Sequence, residues 1–249
     1  MYLVHQTCTL YGCQVATEKL SKSAVAERAL QLGDEEGLEA VTIRRLAQAL
    51  GVTPMALYWH FKNKDELLMG IVDYVLTDLR ADREAGDPWP IQLRAMVEVL
   101  VTVMRKHPIL ADLMPSVEKS EATSFSRATN DALALLSLGG FGVQEGYWVA
   151  TYLLHGAIGL VSAQPECPAA VPADQVDEWR RQKRLKMERL PADQFPMLVA
   201  FAETYKDDAD PDRYFQFGIT LLMAGVEAIA PNREGLAQPA SAKLVQRAG

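Results

Sequence analysis

The segment from Thr42 to Phe61 leaves little choice of local structure, because two short helical patterns meet there across one glycine and one capping threonine. Ile43, Leu46, Ala47 and Leu50 repeat at helical spacing, which gathers them on one face and leaves Arg44, Arg45 and Gln48 outside. Thr42 is a good N-cap, and Gly51 suits a left-handed C-terminal stop. Thr53 then caps a third helix with Pro54 at its first position, where a missing N–H costs no hydrogen bond. In that short helix Leu57 and Phe61 face inward while Ala56, Tyr58, Trp59 and His60 spread around the rest. Three such residues as Tyr58, Trp59 and His60 cannot all reach the core, and exposed aromatics point to a partner.

Charge identifies the partner's sign. Residues 40–64 hold Arg44, Arg45, Lys62 and Lys64 and no Asp or Glu, within a chain of formal net charge −7. An acidic protein with one basic segment is built to meet an anion at that segment. Two helices joined by a tight turn allow the first to brace on a phosphate backbone while the second presents its start to the major groove. Binding to double-stranded DNA is the expectation for this unit, with the local cations supplying attraction.

The rest of the chain also reads as helix, and no alternating run predicts a sheet. A first helix is expected from Ser21 to Gly33, followed by a turn over Asp34 to Gly37. A long one follows from Lys64 to about Arg83, with Leu67, Leu68, Ile71, Val72, Val75 and Leu79 on its apolar side. Further helices are expected at 90–106, 108–114, 119–138, 143–163 and 211–230. Pro165, Pro168 and Pro172 mark a loop, and the charged stretch from Asp174 to Arg189 is a solvated helix or a mobile connection. The implied architecture is all-α: a leader over 1–20, a helix-turn-helix DNA-binding domain over 21–66, a larger helical regulatory and dimerisation domain over 67–230, and a loose tail over 231–249.

With 249 residues, 49% of them apolar, the chain can bury such a core. Three cysteines, Cys8, Cys13 and Cys167, do not make the dense even set of a secreted disulfide scaffold, and the reading is a reducing cytoplasm. No uninterrupted apolar run reaches the roughly 20 residues of a membrane span. His5, Cys8 and Cys13 match no standard metal spacing. Neither a Gly-rich phosphate loop after a strand, nor HExxH, nor GxSxG, nor a framed Cys and His pair is present, so the expectation is no enzyme and no cofactor.

The run TIRRLAQALGVTPMALYWHFKNKDELL at 42–68 resembles the DNA-binding signature of the TetR family of bacterial transcriptional regulators, and LYWHFKNK is closest to the tetracycline-repressor branch. GFGVQEGYWVATYLLHGAIG at 140–159 and YFQFGITLLMAGVEAI at 214–229 resemble the regulatory domain of that branch. The resemblance implies a ligand-responsive homodimeric repressor, released from a palindromic operator by a small molecule. It places Arg44 where such repressors read a base, and Thr42, Tyr58, His60 and Lys64 at or near phosphate-contacting places. Thr53, Pro54, Met55, Ala56 and Trp59 complete the candidate DNA contacts, and Pro54, Met55 and Ala56 depart from the tetracycline repressors, so the operator need not be the same.

The resemblance also implies a pocket, for which Met104, Met114, Trp148, Tyr152 and His155 are the candidate ligand contacts, His155 matching a pocket histidine. Aligned through His107 and Gly159, the two places that hold magnesium in tetracycline repressors fall on Met114 and Ala163, neither of which offers a hard ligand. The expected inducer is therefore an apolar or aromatic organic molecule, with no metal. The dimer interface is expected on helices 143–163 and 211–230, where Gly156, Gly159, Ala163, Gly218, Ala224 and Gly225 permit close approach beside Ile219 and Leu222.

Overall fold

The computed structural model describes residues 20–77, 84, 86–163, 171–206 and 210–232. The leader with His5, Cys8 and Cys13, nearly all of the tail, Cys167, and the end of the long helix beyond residue 77 lie outside the described residues. Among the described residues every regular element is a helix.

The N-terminal unit is built from α1 (Lys22–Glu36), α2 (Ile43–Leu50), α3 (Pro54–Tyr58) and the first part of α4 (Lys64–Thr77), with a 3-10 turn at Leu38–Ala40. Val25, Ala29, Leu32, Val41, Leu46, Leu57, Phe61, Leu67 and Ile71 are fully buried and form its core. Helix α1 does not stop at Gly33 as expected from sequence but runs one turn further, to a C-cap at Gly37 with φ of 86°. Gly33 serves packing instead: a Cβ there would lie 1.7 Å from Ile109 Cδ1, so its absence lets another helix sit on α1.

That neighbour is α6 (Ile109–Leu113), which follows α5 (Trp89–Lys106) and continues as a 3-10 turn at Met114–Ser116. His107, between α5 and α6, places Nδ1 2.6 Å from Asp34 Oδ2 on α1. The helix expected over 119–138 divides into a 3-10 turn at Lys119–Glu121 and α7 (Thr123–Leu138). The break has a physical cause: Asp73 of α4 accepts from both the backbone N–H (3.1 Å) and the hydroxyl (2.6 Å) of Ser124, capping α7 from outside.

Helices α8 (Val143–Ser162) and α11 (Pro211–Ile229) pack side by side. A Cβ at Gly156 would lie 2.6 Å from Leu222, and one at Gly218 would lie 2.1 Å from Leu160, so these two glycines bring α8 and α11 together within one chain. Ile219 and Leu222 thus belong to the interior contact of the protomer and are not an outward surface, which corrects the sequence expectation; Ile219 is 2% exposed. The outward stripes are Trp148, Tyr152, His155 and Gly159 on α8 with Phe217, Leu221 and Gly225 on α11. Arg105 of α5 fastens α11, pairing with Asp212 at 2.8 Å and lying over the Phe215 ring at 4.2 Å.

The charged stretch is a helix, α9 (Val176–Glu188), and it packs on a helix absent from the sequence expectation, α10 (Pro196–Glu203). Glu178 of α9 accepts from Arg181 and Gln182, and these bonds hold its carboxyl down at about 2.

A second close approach, between α4 and the core of the N-terminal unit, is at Gly70, where a Cβ would lie 2.3 Å from the ring of buried Phe61. Gly70→Ala is expected to lower stability by about 1–3 kcal/mol despite the better helix propensity of alanine, read by urea denaturation. An unchanged midpoint would show that the ring moves freely.

Candidate DNA-reading face and ligand cavity

Helix α2 begins at Thr42, whose hydroxyl accepts from Arg45 N at 3.2 Å, and ends at Gly51 in the left-handed region with φ of 66°. Helix α3 begins at Thr53, whose hydroxyl accepts from Ala56 N at 3.4 Å, with Pro54 in the first turn. Both caps follow from the residue types, and the Gly51 stop with the Thr53 cap confines the turn between the helices to residues 51–53.

The two arginines of α2 have different fates. Arg45 turns back to α1, where its Nε donates to Glu36 Oε2 at 3.1 Å and a terminal nitrogen pairs with the other carboxylate oxygen. The bond from Arg45 holds the Glu36 carboxyl below its ordinary range. Arg44 is exposed, with Gln48 one turn further along the same face, and among the described residues its guanidinium has no acceptor.

On α3 and the turn after it Pro54, Met55, Tyr58 and Trp59 are exposed, while Ala56 and His60 are half-buried and Leu57 and Phe61 hold the core. Trp59 is 87% exposed, so it does not pack against α4. Lys64 is half-buried at the start of α4. Asn63 caps that helix by accepting from Glu66 N at 2.7 Å, and Glu66 in return accepts from Lys62 N at 2.8 Å. That backbone donor, followed by Lys22, keeps the Glu66 carboxyl below its usual range. Glu36 and Glu66, two of the acidic groups close to the basic segment, are therefore already engaged.

A cavity of about 320 Å³ opens between α4, α5, α7 and α8. Its wall is mainly apolar, including Leu76, Met96, Leu100, Phe125 and Leu154, with Arg127, Asp131, Tyr147 and Thr151 as polar groups. This is the size and character of a small-molecule site.

Of the five sequence-predicted ligand contacts only Met114 lines this cavity. Met104 is fully buried beside a gap of about 10 Å³ that it shares with Met114. Trp148 (53% exposed), Tyr152 (74% exposed) and His155 lie on the outward stripe of α8, and His155 Nδ1 is 2.9 Å from its own helix's Thr151 carbonyl. The wall uses Tyr147, Ala150, Thr151 and Leu154, the adjacent stripe at the same i, i+3, i+4, i+7 spacing. A choice of helical phase separates the two sets, and the polar wall residues Arg127 and Asp131 on α7 carried no distinguishing sequence signal. Among the described residues no group of three or more His, Cys, Asp or Glu could hold a metal ion.

A capped two-helix reading unit joined to a cavity-bearing helical domain is the architecture of a ligand-sensing DNA-binding regulator. The comparisons with known proteins agree: residues 25–70 match the family described as bacterial regulatory proteins, tetR family, and residues 71–230 match the tetracyclin repressor-like C-terminal domain. The chain belongs to the TetR family and is a DNA-binding transcriptional regulator.

It is 27% identical over 228 residues to the HTH-type transcriptional repressor DrrR1 of Streptomyces coeruleorubidus, covering 88% of this chain and 82% of that one. It is 28% identical over 219 residues to the tetracycline repressor protein class C of Escherichia coli, covering 84% and 91%. The crystal structure of ActR from Streptomyces coelicolor in complex with actinorhodin superposes with a TM-score of 0.71 at 27% identity, covering 86% and 99%. No described helix is long and apolar enough to cross a membrane.

Because Trp59 contributes almost nothing to the core, Trp59→Ala is expected to leave folding stability within about 0.5 kcal/mol of wild type. Phe61→Ala, two residues on and fully buried, should lose about 3–5 kcal/mol. Denaturation curves of the two variants check this contrast, and a large loss for Trp59→Ala would place it in the core.

Proposed function

We propose that the protein is a homodimeric repressor that holds a palindromic operator and releases it when an apolar organic molecule enters the cavity. The observation that carries this reading is the Asp73–Ser124 contact. Ser124 belongs to the cavity wall, and Asp73 belongs to α4, the helix that also packs into the reading unit through Leu67 and Ile71. A molecule that moves α7 acts on α4, and α4 carries the reading helices with it. A ligand favouring the displaced form by ~100-fold would cost operator binding about 2.7 kcal/mol. ActR, a similar protein, is solved in complex with actinorhodin, which supports a small-molecule ligand. Met114 on the cavity wall and Ala163 at the end of α8 offer magnesium no hard ligand, which favours an inducer other than a magnesium chelate.

In the operator complex Arg44 reads a base edge. Thr42, Tyr58, Trp59, His60 and Lys64 contact or border phosphates, and the tip of α3 lies in the major groove. The side chains of Pro54 and Ala56 carry no hydrogen-bonding group, that of Met55 only a weakly accepting thioether, and the Thr53 hydroxyl is engaged as a cap. Hydrogen-bonded readout therefore falls to Arg44, supported by Gln48, while the tip of α3 makes apolar contacts such as those with thymine methyls.

Selection of duplexes retained by the purified protein, followed by titration and by challenge with apolar aromatic compounds, tests the reading. Arg44→Ala should weaken the selected duplex by about 1–3 kcal/mol and relax one position, whereas Lys64→Ala should weaken all duplexes alike and flatten the salt dependence. Uniform loss for Arg44→Ala would remove it as a base reader, and a duplex that no compound releases would remove the inducer.

The dimer uses the outward stripes of α8 and α11, which would otherwise leave Trp148, Tyr152, Phe217 and Leu221 in water. Leu221, 65% exposed, can be changed without touching the protomer core. Leu221→Asp is expected to yield a folded monomer with weak operator binding, measured by sedimentation and circular dichroism. A wild type that sediments as a monomer at micromolar concentration would end this assignment.

A further inference from the structure

We propose that the cavity selects molecules bearing one carboxylate, which pairs with Arg127 at the mouth while an apolar fused-ring body fills the interior. The inference rests on the reading of the cavity as the inducer site and specifies the chemistry of its ligand.

The wall carries the hydroxyls of Ser124, Thr129, Tyr147 and Thr151 and two charged groups, and among the described residues one of those charges is unpaired. The Ser124 hydroxyl donates to Asp73 at 2.6 Å, and the Thr151 hydroxyl donates to the Tyr147 carbonyl at 2.8 Å. Asp131 already has a partner. Arg127, one turn before Asp131 on α7, lines the same cavity and is exposed; among the described residues no hydrogen bond or ion pair engages its guanidinium. That charge persists at every accessible pH, because arginine does not deprotonate in proteins. It stands beside an interior of Leu, Met, Val and Phe side chains, and Asp131, the carboxylate one turn further along α7 on this wall, is already engaged elsewhere.

A neutral apolar ligand would leave the guanidinium to water, whereas a carboxylate at the ring edge would form a charge-assisted, forked pair with it. The position at the mouth matters, since a carboxylate there keeps part of its hydration and escapes the penalty of full burial. It matters too that the chain is acidic, with a net charge of −7: an anionic ligand is repelled on average, and one uncompensated cation at the entrance reverses that locally.

The probes are anthraquinone-2-carboxylate, anthraquinone-2-carboxamide and the neutral dye Nile red, titrated into the full chain. Wild type is expected to bind the carboxylate about tenfold more tightly than the carboxamide, with the preference shrinking as salt rises. Arg127→Gln should bring the two within about twofold while Nile red affinity is unchanged. Ala128→Trp, which fills the cavity from its own wall, should abolish binding of all three. Equal wild-type affinity for acid and amide, or an acid preference that survives Arg127→Gln, overturns the carboxylate assignment alone. Failure of all three probes to bind wild type, or undiminished binding to Ala128→Trp, overturns the cavity as the ligand site and this inference with it.

Discussion

Everything functional in this molecule depends on α4 being shared by two cores. Its first turns bury Leu67 and Ile71 among the helices of the reading unit, and its later part places Leu76 on the cavity wall and Asp73 against Ser124. A core packed to ordinary protein density does not deform continuously, so a displacement at one end of such a helix is passed on as rigid motion. Gly33 and Gly70 make that sharing feasible, by letting Ile109 lie on α1 and Phe61 lie under α4.

Charge in the reading unit is distributed with the same economy. Of the cations in the basic segment, Arg45 is fixed to Glu36 and helps hold α2 on α1, which leaves Arg44 to face outward from a helix whose orientation is already set. Glu66 could have opposed an approaching phosphate, but it caps the turn before α4 and pairs with Lys22. Two structural ion pairs thus engage Arg45 with Glu36 and Lys22 with Glu66, and among the described residues Arg44 stands free beside an apolar tip.

The fold was largely legible because its signals are local. Thr42, Gly51, Thr53 and Pro54 act within four residues of themselves, and the structure uses each cap as the sequence implies. The cavity was not legible, because α8 carries two neighbouring stripes with similar residues; Trp148, Tyr152 and His155 resemble pocket residues in type but lie one residue out of phase with the wall. Helix α10 was missed since its short apolar run from Pro196 has no polar face to give a period. Gly33 misled for a related reason: a glycine near a helix end signals a stop, and only the position of Ile109 reveals that it serves a crossing. The departure of α7 from a continuous helix depended on Asp73, 51 residues earlier in the chain, which no window of local sequence contains.

Two polar ties fix the shared helix α4 and the reading unit to the ligand domain, and their magnitude bears on whether a small molecule can operate the switch. One is Asp73 to Ser124 on the cavity side, and the other is His107 to Asp34 where α6 meets α1. A hydrogen bond to a charged group is worth about 1.5–3 kcal/mol, comparable with the roughly 2.7 kcal/mol that a hundredfold loss of operator affinity requires. These two bonds are directional and weaken steeply when their geometry is disturbed. A ligand therefore has no need to disrupt either core; loosening the Ser124 end of α7 by the width of one hydrogen bond already commits an energy of the right size to the position of α4.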